Sequence, residues 1–287
     1  MTAHPLPSRL GILAASGSIP VAVCEAAAAK GIEVFVVALR GQASQEITRF
    51  PHRWVRLGEI GGLLNALREA KCRDIVIVGG LKRPDIWRAG MDFGFIWHLP
   101  TILSLTRGGD DTLLQRVVRF FETQGFGVRG AHEIAPALLA PSGPCGVHKP
   151  KDEHQGDIAR GLAVLDALGP FDVGQSVVVE RGHILAVEAA EGTDEMLKRC
   201  AGLHQWGRHG RAGVLIKAPK VGQELRVDMP VIGPRTIENA AHAGLAGIAV
   251  ASGEVMIADQ AEMISLADRN EIFVTGVDRT APDAARK

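Results

Sequence analysis

The chain has 287 residues, 46% of them hydrophobic, and its 32 basic side chains balance its 32 acidic ones. This length and apolar content allow two globular domains, and a neutral net charge disfavours a nucleic-acid-coating protein. The four cysteines are far apart and form no CxxC pair, which indicates free thiols in a reducing compartment. Because the N-terminus lacks a signal-peptide pattern and no apolar run is long enough to span a bilayer, we expect a cytoplasmic protein.

The first half of the chain alternates between strand and helix patterns. The run RLGILA predicts a strand over 9–14, and the small-residue loop AASGSIP leads from it into a helix that ends at Gly31. Later segments continue the alternation: a strand over 33–39, a helix over 61–71, a strand over 74–80 and a helix over 110–125. Such βαβ units predict an α/β fold, with a Rossmann-like nucleotide-binding domain over 1–139.

The Pro- and Gly-rich segment APSGPCGVHKP, residues 140–150, is the predicted linker. The second, catalytic domain, 151–287, is predicted to be mixed α/β. Its predicted elements are a helix over 153–169, two strands within 175–189, a helix over 193–203, a strand over 213–218 and further alternation over 237–277. We expect Thr193 to cap the helix that begins there.

Two loops of the first domain follow strands and suit anions. In AASGSIP, small residues before a helix let backbone N–H groups approach a phosphate; the alternative is a tight turn without a ligand, since neither GxGxxG nor a Walker motif is present. In GGLKRPD, two cations suit a diphosphate; the alternative is a solvated basic turn. The residues concerned are Ser16, Gly17 and Ser18 in the first loop and Lys82 and Arg83 in the second.

Three further residues of this domain are weaker candidates. Asp110 and Asp111 in RGGDD either contact a ribose or metal, or cap the next helix and complement its dipole. His132 in GAHE is in a position to orient a ligand.

Two charged stretches of the second domain suit phosphate chemistry. VEAAEGTDEM holds Glu188 among four carboxylates, which either bind Mg²⁺ or lie on the surface, and its GTD turn is suited to an anion. In KAPKVGQELRVDMPVIGPRTI, Asp228 is either a general base or Mg²⁺ ligand facing a phosphoanhydride, or an Asx-turn residue before Pro230. Lys217 follows a strand there, and such a cation stabilises the charge of a phosphoryl transition state.

Together these motifs resemble a known family. Five stretches are similar to those of the LpxI-type UDP-2,3-diacylglucosamine pyrophosphatases, from about residue 9 to about 278. They are LGILAASGSIPVAVCEAA, GGLKRPD, LTRGGDDTLLQRVVRFFETQGFGVRGAHEI, DVGQSVVVERGHILAVEAAEGTDEML and GVLIKAPKVGQELRVDMPVIGPRTIENAAHAGLAGI. The first loop departs from the family's AGSG pattern at Ala15.

The resemblance implies a two-domain enzyme of lipid A biosynthesis that binds its substrate between the domains. It implies Mg²⁺-dependent hydrolysis of UDP-2,3-diacylglucosamine to UMP and 2,3-diacylglucosamine 1-phosphate (lipid X), with water directed at the phosphorus on the sugar side. Asp228 matches the family's essential aspartate, with Lys217 as a second catalytic residue and Asp228 and Glu188 as metal ligands. The loop residues above, with Gln175, Gly192, Thr193 and Asp194, would bind substrate.

The implied partner is a lipid-linked nucleotide sugar, which requires transient contact with the inner-membrane surface, and FGFIWHLP (93–100) offers apolar surface for its acyl chains. A homodimer is also possible, with AAHAGLAGI (240–248) as either interface or core. Two alternatives are another nucleotide-sugar enzyme, such as an oxidoreductase, and a non-catalytic UDP-sugar or lipid-binding protein. The first is disfavoured because GxGxxG and an acidic ribose reader are missing.

Overall fold

The computed structural model describes residues 5–80, 110–203 and 211–279, with 110–112 described by their backbone only. The chain forms two compact units. The first comprises the chain up to Pro136 together with the short segment Glu224–Asp228, and the second comprises Ala137–Gln223 and the chain from Met229 onward.

Within the described residues, the first unit is built on a five-stranded parallel sheet in the order β3-β2-β1-β4-β5. Its strands are β1 (Arg9–Ala14), β2 (Glu33–Leu39), β3 (His52–Val55), β4 (Asp74–Val78) and β5 (Gly127–Arg129). Its helices are α1 (Ile19–Ala29), α2 (Ile60–Glu69), α3 (Asp110–Thr123) and α4 (Ala131–Ile134). The strands predicted over 9–14 and 33–39 are confirmed at both ends.

The core of this unit follows from the apolar pattern of its strands and helices. β1 is buried from Leu10 onward, as expected for a central parallel strand that is covered on both faces. Leu63, Leu64 and Leu67 recur at helical spacing on α2 and are buried in this core. Val227, from the late segment Glu224–Asp228, packs against the same core.

The second unit contains, among the described residues, a six-stranded sheet in the order β6-β13-β11-β9-β7-β8. Its strands are β6 (Gly143–Pro144), β7 (Ser176–Glu180), β8 (His183–Val187), β9 (Val214–Lys217), β11 (Gly247–Ala251) and β13 (Phe273–Val277). β10 (Val231–Ile232) and β12 (Met256–Ile257) form a separate parallel pair. Its helices are α5 (Asp152–Leu168), α6 (Thr193–Cys200), α7 (Pro234–His242) and α8 (Gln260–Arg269).

The α/β fold class is therefore confirmed, with a parallel sheet in one unit and a mixed sheet in the other. Segment 140–150 contains β6, which pairs antiparallel with β13. The chain first passes from the first unit to the second between Pro136 and Ala137. In AAHAGLAGI, Ala240, Ala243 and Leu245 are buried in the core of the second unit. No helix in the described part of the chain is both long and apolar enough to cross a bilayer.

Candidate active site

Polar side chains converge at one edge of the second unit's sheet because of its strand directions. Lys217 ends β9, which runs parallel to β11. β7 runs antiparallel to β9, so its first residue, Ser176, lies directly opposite Lys217. β8 in turn runs antiparallel to β7, so Glu188, which follows it, reaches the same edge. Open α/β sheets bind ligands at the carboxyl ends of their parallel strands, which is this edge.

Lys217 is the centre of a buried polar network. Its side chain is 8% exposed. Its Nζ donates to Thr193 Oγ1 at 2.7 Å and to Ser176 Oγ at 3.2 Å. Thr193 Oγ1 donates to Glu188 Oε2 at 3.0 Å, and the same carboxylate oxygen lies 4.0 Å from Lys217 Nζ. The two hydroxyls orient the ammonium and the carboxylate compensates its charge, as a buried cation requires.

Lys217 also lines a pocket of about 340 Å³, and two helices begin at this pocket with their N-termini beside it. α6 begins at this pocket after Gly192, whose φ of +82° is readily accessible to glycine. α7 begins there after Gly233, with Arg235 in its first turn. Helix N-termini carry partial positive charge and unpaired N–H groups. Together with Lys217 and Arg235, they make this pocket suited to a phosphate group.

The prediction that Thr193 caps α6 is wrong. Gly192 occupies the capping position and Thr193 is the first helical residue. Its hydroxyl is used instead by Lys217 and Glu188, so a tertiary contact replaces the local one.

Asp194, predicted to bind substrate, bridges α6 and α7. Its Oδ1 accepts a hydrogen bond from Asn239 Nδ2 at 2.7 Å, and its Oδ2 lies 2.7 Å from Arg235 Nη2. These contacts hold the two helix N-termini beside each other. Gln175 lies at the same edge, where its carbonyl oxygen accepts from Ala218 N at 3.0 Å.

The four carboxylates of VEAAEGTDEM do not converge on a common point. Glu188 lies near Lys217, and Asp194 pairs with Arg235. The other two carboxylates pair with cations of α6, Glu191 with Arg199 and Glu195 with Lys198. Across the described ranges, no group of three or more His, Cys, Asp or Glu side chains is arranged to enclose a metal.

In the first unit, the loops after β1 and β4 are joined at the point where the strand order reverses. Ser16 N donates to Gly80 O at 3.1 Å, and Gly80 N donates to Ser16 O at 3.0 Å. Gly79 has a φ of +105°, and a Cβ there would lie 2.7 Å from Ser16 O. Gly17 also has a positive φ, +97°, and Ser18 precedes the first turn of α1. This reversal is where open α/β sheets bind nucleotides.

His132 lies in α4, directly after β5, at the same carboxyl edge as these loops. Burial lowers its pKa, and the nearby Glu133 partly opposes that change. Its Nδ1 is buried and makes no hydrogen bond to a described group. Burial therefore favours the neutral form of the imidazole. Asp110 and Asp111 begin α3, with side chains outside the description, and Lys82, Arg83 and segment 93–100 lie outside the described residues.

The cations near Asp228 in the sequence have separate partners in the structure. Lys220 pairs with Asp172 in the second unit, and Arg226 pairs with Glu224 and Glu122 in the first. Asp228 itself closes a turn of the first unit, with its N–H donating to Glu224 O at 3.0 Å.

The sequence interpretation did not identify Ser176 or Arg235. The sequence did contain a signal for Ser176. Two strands predicted on either side of the turn at RG form an antiparallel pair, and in such a pair the first residue of one strand lies at the sheet edge where the other strand ends. Arg235 had no comparable signal, since its position depends on the packing of α7 against α6.

Comparisons with known proteins agree with this architecture. Residues 9–138 match the LpxI N-terminal domain family, and residues 141–275 match the LpxI C-terminal domain family. The chain is also 42% identical over 274 residues to the UDP-2,3-diacylglucosamine pyrophosphatase LpxI of Caulobacter vibrioides (strain ATCC 19089 / CIP 103742 / CB 15), a match that covers 94% of this chain and 98% of that protein. The resemblance inferred from the motifs is confirmed, and the chain belongs to the LpxI family.

Proposed function

We propose that this protein hydrolyses the diphosphate bond of UDP-2,3-diacylglucosamine and releases UMP and 2,3-diacylglucosamine 1-phosphate, a step of lipid A biosynthesis. The observation that carries this proposal is the pocket at the edge of the second unit's sheet. The buried ammonium of Lys217 and the N-termini of two helices lie at this pocket. The relative from Caulobacter vibrioides bears the name of this activity.

The reaction adds one water molecule across the phosphoanhydride. The water oxygen bonds to phosphorus, the bond from that phosphorus to the bridging oxygen breaks, and the water's proton goes to a base. Lys217 and N–H groups in the first turns of α6 and α7 bind phosphoryl oxygens, on which negative charge accumulates; Pro234, the first residue of α7, has no N–H group to contribute. Thr193, Ser176 and Glu188 hold Lys217 in place, so that its charge needs little reorganisation during the reaction.

Asp228 is the proposed base or, alternatively, a Mg²⁺ ligand. Carboxylates such as Asp228 and Glu188 have the oxygen ligands that Mg²⁺ prefers, and Mg²⁺ needs only one or two of them when substrate phosphates and waters complete its coordination. Each of these carboxylates would by itself suit a Mg²⁺ that binds together with the diphosphate. When bound, the ion would neutralise part of the diphosphate charge.

The uridine diphosphate end of the substrate is proposed to contact the first unit. The joined loops at Ser16–Ser18 and Gly79–Gly80 lie where the strand order reverses, which supports a nucleotide site there. The further proposed contacts to this end of the substrate are Lys82, Arg83, Asp110, Asp111 and His132. In the second unit, Gln175, Gly192, Thr193 and Asp194 are proposed to contact the sugar phosphate.

We expect wild type to release UMP from UDP-2,3-diacylglucosamine in the presence of Mg²⁺ and to stop when EDTA is added. Asp228→Asn should abolish UMP release while substrate still binds. Hydrolysis in ¹⁸O-water identifies the attacked phosphorus, and the expected attack on the sugar side places the label in the lipid phosphate. Binding of UDP-sugars by an inert wild type would instead favour a non-catalytic binding protein.

We also propose that the protein acts in the cytoplasm, in transient contact with the inner membrane, because its substrate carries two acyl chains. Exposed apolar side chains offer area for that contact, including Phe171 at 75% exposure and Val221 at 62%. Flotation with anionic vesicles should carry wild type upward and should carry less of a Phe171→Ser variant. A homodimer remains a proposal that light scattering tests.

A further inference from the structure

The segment that carries Asp228 is a single helical turn that belongs to the first unit. Its flanking residues on both sides belong to the second unit. Val227 N and Asp228 N both donate to Glu224 O, at 3.2 and 3.0 Å. These bonds fix the backbone on which the Asp228 side chain is mounted, but five residues alone form no stable turn in water.

Two contacts anchor this turn to the first unit. Val227 packs against the apolar core of that unit. Arg226 Nη1 donates to Glu122 Oε1 on α3 at 3.1 Å. Within the turn, the same guanidinium binds Glu224 with both carboxylate oxygens, at 2.8 Å from Nε and 2.6 Å from Nη2.

Arg226 therefore joins the start of the turn to helix α3 through one rigid group. The planar guanidinium presents several donors in a fixed geometry, so it holds two carboxylates at once in a way that lysine does not. The contact with Glu224 lowers the pKa of that carboxyl and keeps it ionised at neutral pH. Arg226 uses three of its five N–H donors in hydrogen bonds to protein carboxylates, at 2.8, 3.1 and 2.6 Å, which favours a structural role over a substrate contact.

We propose that Arg226 is a positioning residue for Asp228, acting through Glu224 and Glu122, rather than a cation that binds the substrate diphosphate. The proposal rests on the role assigned above to Asp228. It gives a function to an arginine two residues before the aspartate, and it adds Glu122, which is distant in sequence, to the residues on which turnover depends.

The test is a double-mutant cycle on UMP release, with Arg226→Gln, Glu122→Gln and the double variant. Each single variant should lower kcat about 10- to 100-fold, because small displacements of a catalytic group cost factors of this size, while KM changes less than about threefold. The double variant should be no slower than Arg226→Gln, since both changes break the same contact. Arg226→Lys should recover only part of the lost kcat.

The matched control is Arg53→Gln, which breaks an exposed ion pair of the same unit, Arg53 with Glu69, at 2.8 Å. It should leave kcat unchanged. Amide hydrogen exchange provides a readout independent of turnover: exchange at Val227 and Asp228 should accelerate in Arg226→Gln and in Glu122→Gln but not in the control.

The outcomes separate this inference from the proposed function. Loss of turnover in Asp228→Asn, together with normal kcat in Glu122→Gln, would overturn the positioning role and leave the proposed function intact. A raised KM in Arg226→Gln with unchanged kcat would instead identify a substrate contact and also overturn it. Full activity in Asp228→Asn would show that Asp228 is not catalytic, so the catalytic role of Asp228 and the positioning role of Arg226 would both be wrong, while the UMP release itself would still support the proposed reaction.

Discussion

The buried pair of Lys217 and Glu188 allows stability and catalysis to be separated by mutation. Their charged atoms are 4.0 Å apart, with 8% and 13% of their side chains exposed. At an effective dielectric constant of about 20, the attraction at this distance is about 4 kcal/mol, from which desolvation of both groups subtracts. We therefore expect a coupling energy of about 2 to 3 kcal/mol between the two positions.

Lys217→Met should destabilise the protein by about 3 kcal/mol, because it leaves a buried carboxylate without its cation. Glu188→Gln keeps an acceptor for the Thr193 hydroxyl but leaves the ammonium uncompensated, so a loss of similar size is expected. The double variant is neutral at both positions and should recover to within about 1 kcal/mol of wild type. Its UMP release should nevertheless stay as low as that of Lys217→Met, since the ammonium is absent.

Urea unfolding of the four proteins at pH 7 gives the stability cycle, and UMP release under saturating substrate gives the kinetic one. Additive losses, with a coupling energy below about 0.5 kcal/mol, would contradict the ion pair. A double variant that regains activity would show that the Lys217 charge is not needed for turnover.

Three further outcomes are expected from urea unfolding. Gly79→Ala should lower the free energy of unfolding by about 3 kcal/mol, because φ is +105° there and the new Cβ would lie 2.7 Å from a backbone oxygen. Gly17→Ala should lower it by about 1 kcal/mol, because φ is +97° but the space around the new Cβ is open. Equal losses for the two variants would contradict the close approach at Gly79. Arg226 holds the pKa of Glu224 below its usual 4.5, so Arg226→Gln should be less stable than wild type at pH 6. This difference in unfolding free energy should fade as the pH falls below 4.5 and through the lowered pKa. A difference that does not change with pH would contradict the contact's effect on Glu224. Burial lowers the pKa of His132 below its usual 6.5, so the unfolded chain takes up a proton at this residue before the folded one does. Wild type should therefore lose stability relative to His132→Gln as the pH falls below 6.5. Parallel profiles of stability against pH for the two proteins would contradict the lowered pKa.

Much of the fold could be predicted because parallel strands buried on both faces appear as continuous apolar runs. RLGILA and EVFVVAL show this pattern, and their bounds are confirmed. The strand His52–Val55 was not predicted, because it lies at the sheet edge, has only Val55 buried, and lacks an apolar run.

The candidate site was predictable only one element at a time. Lys217 lies near the end of the strand predicted over 213–218, and Thr193 begins a predicted helix, so their types and positions were evident from the sequence. Their mutual contacts depend on the antiparallel pairing of β7 with β9, which places Ser176 opposite Lys217. The contact between Arg226 and Glu122 joins residues far apart in the chain, and no local pattern predicts it.

The late segment Glu224–Asp228 has a consequence for biosynthesis. Domains generally fold as they leave the ribosome, N-terminal part first. Here the first sheet is complete once Arg129 has been made, yet Val227, which packs on the core beneath it, is added only after much of the second unit. A nascent chain, or an expressed fragment that stops at Pro136, therefore lacks the apolar contact of Val227 and the arginine that pairs with Glu122, and the first unit gains both contacts only after most of the second unit has been made.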